Sequence, residues 1–322
     1  MFIRRPKWRD AHGWFSRLNM NDKEGFEKDI AIKSNRRYAI ACSHPNYMAL
    51  LSTMSDKNKR RLKAGQEVIL STVGTTLPDI LQLGLTPVFV DVDIPTFNAN
   101  PCLVEEAVNE NTGAIHLQHT LGNPIAIQYI SDRVLEGSYI WGVFDCGSAI
   151  GGTCTGTYEG QPIGNFGHLS TFSFKHAGII LTDSVHLEEL LRTYCHCHYS
   201  IEPIPNSIKT HRDNWKYYHE AFKSELSEYF ILPEPHHMAD PNWLGFCVVY
   251  QGDREKLLQY LKKKGILTHQ LPIQNYHGYK LIGTSKNTEI MQNKSFWIDV
   301  GKTVTPEIRE YVVDTMKKGC RQ

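Results

Sequence analysis

Short apolar or β-branched runs stand at 68–70, 87–92, 114–119 and 139–144, and each is separated from the next by a segment of helical length. Segments 105–108 and 127–135 supply crossover helices between them. Strands alternating with helices predict right-handed crossovers and a mostly parallel sheet, an α/β arrangement. Such sheets bind ligands at the carboxyl ends of their strands, where Asp91, His119 and Asp145 fall on this reading.

After Pro203 and Pro205 the rhythm changes. Residues 215–226 read as a helix, 243–250 as a strand with aromatic content, and 253–264 as an amphipathic helix stopped by Gly265. Residues 296–300 read as a strand and 305–318 as a last helix, with Thr305 as its cap and Pro306 at its first position. The expected organisation is a large α/β domain over 1–205, with residues 1–35 as an N-terminal segment, and a smaller C-terminal α+β domain over 206–322.

At 322 residues the chain can bury a core without disulfide or metal support. Its 41% hydrophobic and 21% charged residues and net charge of +1 argue against disorder and against electrostatic capture of nucleic acid. The basic stretch at 57–63 reads as a solvated loop or helix end. No apolar run approaches the roughly 20 residues that cross a bilayer, and the basic start at 1–10 has no apolar segment behind it, so a soluble, cytoplasmic protein with no membrane partner is expected. The eight cysteines read as reduced thiols, most of them packing residues.

The candidate chemistry lies in T-F-S-F-K at 171–175, which begins 26 residues after Asp145 at the end of the run 139–144. A carboxylate at a strand end, then a hydroxyl and a lysine on a short strand-turn, are three contacts that a pyridoxal phosphate needs. Asp145 would keep the pyridine nitrogen protonated, Ser173 would bond the phosphate and Lys175 would form the Schiff base.

Longer stretches carry a family resemblance. They are R-R-L-K-A-G-Q-E-V-I at 60–69, P-V-F-V-D-V-D-I-P-T-F-N at 87–98, H-T-L-G-N-P at 119–124, Y-E-G-Q-P-I-G-N-F-G at 158–167, D-P-N-W-L-G-F at 240–246 and N-T-E-I-M-Q-N-K-S-F-W-I at 287–298. With these the chain resembles the DegT/DnrJ/EryC1/StrS sugar aminotransferase superfamily, and more narrowly the CDP-4-keto-6-deoxyglucose 3-dehydratases of lipopolysaccharide biosynthesis. The resemblance implies the fold type I pyridoxal phosphate-dependent transferase architecture. It also implies pyridoxal 5′-phosphate or pyridoxamine 5′-phosphate as cofactor, and 3-dehydration or transamination of a nucleotide-linked 4-keto-6-deoxy sugar. A homodimer, and a reductase partner for a dehydratase, belong to the same implication.

Departures from the family cluster at the cofactor site. The turn after T-F-S-F is shortened, leaving Lys175 or His176 as the proton shuttle. The phosphate cradle reads C-S-H-P-N-Y at 42–47, where Ser43 and Asn46 remain as donors and Pro45 removes one N–H. An ordinary helix start capped by Ser43 is the plainer reading of that stretch. The stacking aromatic is replaced by Val73 or Thr75, and Ser148 stands near the place of the cofactor's ring hydroxyl.

Cys195 and Cys197 resemble the Cys-x-Cys of iron–sulfur dehydratases, but the four thiolates of a cluster are not matched, so neither a cluster nor a zinc site on Cys195, His196, Cys197 and His198 is expected. About forty family residues between Cys-x-Cys and Trp215, including an interfacial loop, are missing. The alternative to an enzyme is therefore a catalytically degenerate homologue that binds a sugar nucleotide or a protein partner.

Overall fold

The computed structural model describes residues 23–57, 60–155, 159–173, 178–195 and 208–321. In chain order the elements of the first two thirds are α1 (Lys23–Lys33), β1 (Tyr38–Cys42), α2 (Pro45–Ser55), β2 (Glu67–Ser71), α3 (Leu77–Gln82), β3 (Thr86–Val90), α4 (Pro101–Ala107), β4 (Thr112–Gln118), α5 (Ile127–Ile130), β5 (Trp141–Asp145), β6 (Thr153–Cys154), β7 (Leu169–Ser173), β8 (Gly178–Thr182) and α6 (Val185–Tyr194). The remainder comprises α7 (Ile208–Glu225), β9 (Phe230–Ile231), β10 (Ala239–Asp240), β11 (Gly245–Tyr250), α8 (Arg254–Lys263), β12 (Lys280–Ile282), α9 (Lys286–Lys294), β13 (Ser295–Asp299) and α10 (Pro306–Cys320).

An eight-stranded sheet in the order β1-β8-β7-β5-β4-β2-β3-β12 forms the centre. Its pairs are parallel except that β8 runs antiparallel to both β1 and β7. The inner strands are buried on both faces and rich in apolar residues, and their two-residue period sends successive side chains to opposite sides. Ile69, Val88, Ile115, Leu117 and Phe144 face α1, α4 and α5. Val68, Leu70, Phe89, Ala114 and Val143 face α2, α3 and α6.

The C-terminal third wraps a smaller antiparallel sheet, β13-β11-β9. Tyr218 and Phe222 of α7, Leu261 of α8 and Met316 of α10 cover Phe246 and Phe296 on one side. Burying an aromatic such as Phe222, with no exposed surface, contributes about 2–3 kcal/mol before entropy is counted. The opposite side, through Cys247, Val249 and Met291, meets Val73, Val92 and Phe97 at the carboxyl edge of the large sheet. Helix α10 begins as read: Thr305 accepts from Ile308 N at 3.4 Å, and Pro306 takes the first turn. Gly265, at φ +76°, follows the end of α8, because the left-handed backbone there carries no Cβ penalty for glycine.

Two features differ from the alternation expected. The chain returns to the large sheet late, since β12 pairs parallel with β3 and Val73 bridges Ile273. Residues 127–135 form one α-turn continued as a π-helical turn over Ser131–Leu135. The break expected near Pro203 and Pro205 lies outside the described residues.

Candidate active site

At the carboxyl edge of the large sheet, Asp145 ends β5 between Gln118 of β4 and Thr171 of β7, its paired residues. It has the parity of Trp141 and Val143, so its side chain rises on the face covered by α2. Gly147 N donates to Asp145 Oδ1 at 2.9 Å, and Asn46, in the first turn of α2, donates through Nδ2 to Asp145 Oδ2 at 2.9 Å. Asn46 Oδ1 in turn accepts from the Thr171 hydroxyl. A Cβ on Gly147 would lie 3.1 Å from Asp145 Oδ1 and 3.3 Å from Ser173 N, so the turn after β5 packs tightly against the end of β7.

No side chain among the described residues caps helix α2: its N-cap residue is His44, Pro45 holds its first position, and Ser43 is not the cap. First-turn N–H groups that no described side chain caps put the positive end of the helix dipole beside Asp145. The Ser43 hydroxyl, exposed, bonds His44 Nδ1 at 2.9 Å instead.

Burial shifts the surrounding titratable groups toward their uncharged forms. His116 is buried on β4, and burial lowers its pKa although the charge of Asp145 pulls the other way. Its Nε2 has no hydrogen-bond partner among the described residues. Asp79, in the first turn of α3, is pushed up by burial; His44 opposes that shift and Asp145 adds to it. His119, directly after β4, is lowered by burial to about 3. Its Nδ1 accepts from Ile125 N at 3.0 Å, and its backbone N–H donates to Asp145 O at 3.0 Å, so the H-T-L-G-N-P loop is tied to the same strand end.

Of the residues expected at the site, Asp145 and Asn46 are joined directly. Ser173 is exposed at the end of β7, and Ser148 is half-buried in the turn after Asp145. Lys175, His176, His196, Cys197 and His198 lie outside the described residues. Cys195 is buried at the end of α6. Val73 is buried against the returning chain and Thr75 is exposed. Asp91 is not open to a ligand: it is buried, and its carboxylate accepts from Thr288 N, Thr288 Oγ1 and Asn287 N at the start of α9.

Residues 3–200 match the DegT/DnrJ/EryC1/StrS aminotransferase family. The chain belongs to that family. It is 28% identical, over 95% of its length and 86% of the relative's, to the lipopolysaccharide biosynthesis protein RfbH of Salmonella typhimurium. It is 29% identical to the dTDP-4-dehydro-2,6-dideoxy-D-glucose 3-dehydratase of Saccharopolyspora spinosa, over 85% of this chain and 74% of that one. Among solved structures it resembles the E. coli GDP-4-keto-6-deoxy-D-mannose-3-dehydratase with bound hydrated PLP, with TM-score 0.78, 21% identity and coverage of 99% and 97% of the two chains. The aminotransferase from Psychrobacter cryohalolentis gives TM-score 0.80 at 17% identity, covering 100% of this chain and 98% of that one. This likeness shows the fold, the α/β architecture of the pyridoxal phosphate-dependent aminotransferases and dehydratases.

The donor set of this family member fits a phosphorylated pyridine. A fixed carboxylate faces the space beneath an uncapped helix start, which supplies an acceptor for a ring N–H and donors for an anion within one small region. Reading the sequence missed His116, Asp79 and Thr171 as neighbours of Asp145. The signal for the first was present: His116 and Gln118 interrupt an apolar strand at a two-residue spacing, which puts both on one face.

Proposed function

We propose that the chain is an enzyme that uses pyridoxal 5′-phosphate or pyridoxamine 5′-phosphate to modify a nucleotide-linked 4-keto-6-deoxy sugar, by 3-dehydration or transamination, in deoxysugar and lipopolysaccharide biosynthesis. The observation that carries this reading is the Asp145 carboxylate, oriented by two donors at the sheet edge next to the open start of α2. The names of the relatives support the substrate class: RfbH is a lipopolysaccharide biosynthesis protein, and other matches are nucleotide-sugar 3-dehydratases.

When bound, the cofactor supplies an electron sink for a carbon that loses a proton. Asp145 would hold the ring N–H and so favour its protonated form. The first-turn amides of α2, with Ser43 and Ser173, would receive the phosphate, and Ser148 would stand by the ring hydroxyl. Lys175 or His176 would take or return the proton at the reacting carbon, which in dehydration lets the 3-hydroxyl leave. A homodimer, and for dehydration a reductase partner, belong to the same proposal.

Titration of the purified protein with pyridoxal phosphate tests it. Wild-type protein is expected to develop a visible absorbance band that borohydride abolishes, and Lys175→Ala to lose the band. Asp145→Ala should bind at least about tenfold more weakly, having lost a charge-assisted hydrogen bond. Wild-type protein that binds neither cofactor at millimolar excess would refute the reading.

A further inference from the structure

We propose that Asn46 is a positioning residue for Asp145, aiming that carboxylate from α2, rather than a ligand of the cofactor phosphate. The inference rests on the function proposed above and deepens it.

The hydrogen-bond chemistry leaves one arrangement. An ionised carboxylate only accepts, so the Asn46 amide must turn its NH₂ toward Asp145 Oδ2, at 2.9 Å. Its carbonyl then faces Thr171, whose hydroxyl donates to it. The amide is thereby held from both ends, by β5 and by β7, while its own backbone belongs to α2. Gly147 N takes the other carboxylate oxygen at 2.9 Å. With both oxygens fixed by donors, the carboxylate is aimed before any ring arrives.

The neighbours make this support necessary. Asp79, on α3, brings a second carboxyl toward Asp145, and His116, on β4, is buried and neutral, so it adds no positive charge. His44, on the loop before α2, is exposed to solvent. Asn46 and Gly147 are the donors that the described residues place on the Asp145 carboxylate.

The deciding variant is Asn46→Asp, which keeps size and shape but sets a carboxylate against a carboxylate. Asn46→Ala is expected to weaken pyridoxal phosphate binding about tenfold, measured by quenching of tryptophan fluorescence. Asn46→Asp should weaken it further at about pH 8 and recover toward about pH 5, as one proton becomes shared between the two carboxyls. Thr171→Val should give a smaller loss. An amide that merely fills space predicts that Asn46→Asp behaves as wild type at every pH, and that outcome overturns the proposal.

The protein without cofactor gives an independent reading. Relative to wild type, Asn46→Asp should melt lower at about pH 8 than at about pH 5, because repulsion between the paired carboxylates is relieved by the shared proton. Failure of wild type to bind cofactor would refute the proposed function alone. An Asn46→Asp melting temperature that tracks wild type across that range would refute the positioning role alone.

Discussion

Asp91, just past the end of β3, holds the first turn of α9 through Thr288: its Oδ1 accepts from Thr288 N at 2.9 Å and from Thr288 Oγ1 at 2.6 Å. The Thr288 hydroxyl also meets Thr72 Oγ1 at 2.6 Å, after β2. Two of the family stretches, P-V-F-V-D-V-D and N-T-E-I-M-Q-N-K, thus form one joint between the large sheet and the C-terminal third. The carboxylate does the work of a side-chain cap from outside the helix, satisfying first-turn N–H groups and complementing the dipole.

Breaking this joint should cost stability in proportion to the donors left buried. Thr288→Val removes one hydroxyl and is expected to cost about 1.5–3 kcal/mol, the worth of a hydrogen bond to a charged group. Asp91→Ala strands Thr288 N, Asn287 N and Val92 N together, and should cost about 3 kcal/mol or more. Urea denaturation midpoints measure both. Changes within about 0.5 kcal/mol, the range of ordinary surface substitutions, would show that α9 is held by its apolar face alone.

A second joint links H-T-L-G-N-P to D-P-N-W-L-G-F, and Gly122 is its tightest point. Leu244 N donates to Leu121 O at 2.7 Å, and a Cβ on Gly122 would lie 2.7 Å from Ser148 O and 2.9 Å from Trp243 N, all backbone atoms that cannot turn aside. Gly122→Ala therefore combines a left-handed backbone, φ +84°, with a clash. Gly137→Ala is the matched control, with φ +68° and no atom of the described residues within 4 Å. The control should lose about 1–2 kcal/mol and Gly122→Ala clearly more. Equal losses in thermal unfolding would mean that the two loops part readily.

Local pattern announced β2, β3, β4 and β5 because each is an apolar run buried on both faces, and their ends differ from the runs by one or two residues. What it left out is long-range. β8 is as apolar as its neighbours, but its reversal depends on which strands it joins, and β12 is three residues whose place beside β3 follows from the path of the returning chain. The site divides in the same way. Asp145 was legible as the polar end of an apolar run. Asn46 was legible as a donor, but its partner lies 99 residues away, and its reading as a phosphate ligand came from position along the helix alone. Asp91 looked like a ligand group at a strand end until α9, 197 residues on, covered it.

A buried histidine, His119, and a half-buried one, His168, give the protein a defined response to acid. His119 is lowered from 6.5 to about 3 by burial, and His168 to about 4 by burial first and then by Arg60 and Arg36. Each is neutral when folded and takes up a proton more readily once unfolded, so between those values and about 6.5 the unfolded state binds more protons. Their contribution is complete above about pH 6.5 and is lost as pH falls toward the folded values, at up to about 1.4 kcal/mol per pH unit for each group. Unfolding free energies from denaturant titrations should fall accordingly from about pH 7 to about pH 4. His119→Gln keeps an acceptor for Ile125 N but cannot be protonated, and should flatten the slope by about one proton's worth. A slope unchanged in that variant would place the acid sensitivity elsewhere, with His168, where Gly142 N and Arg60 meet the two ring nitrogens, as the next residue to replace.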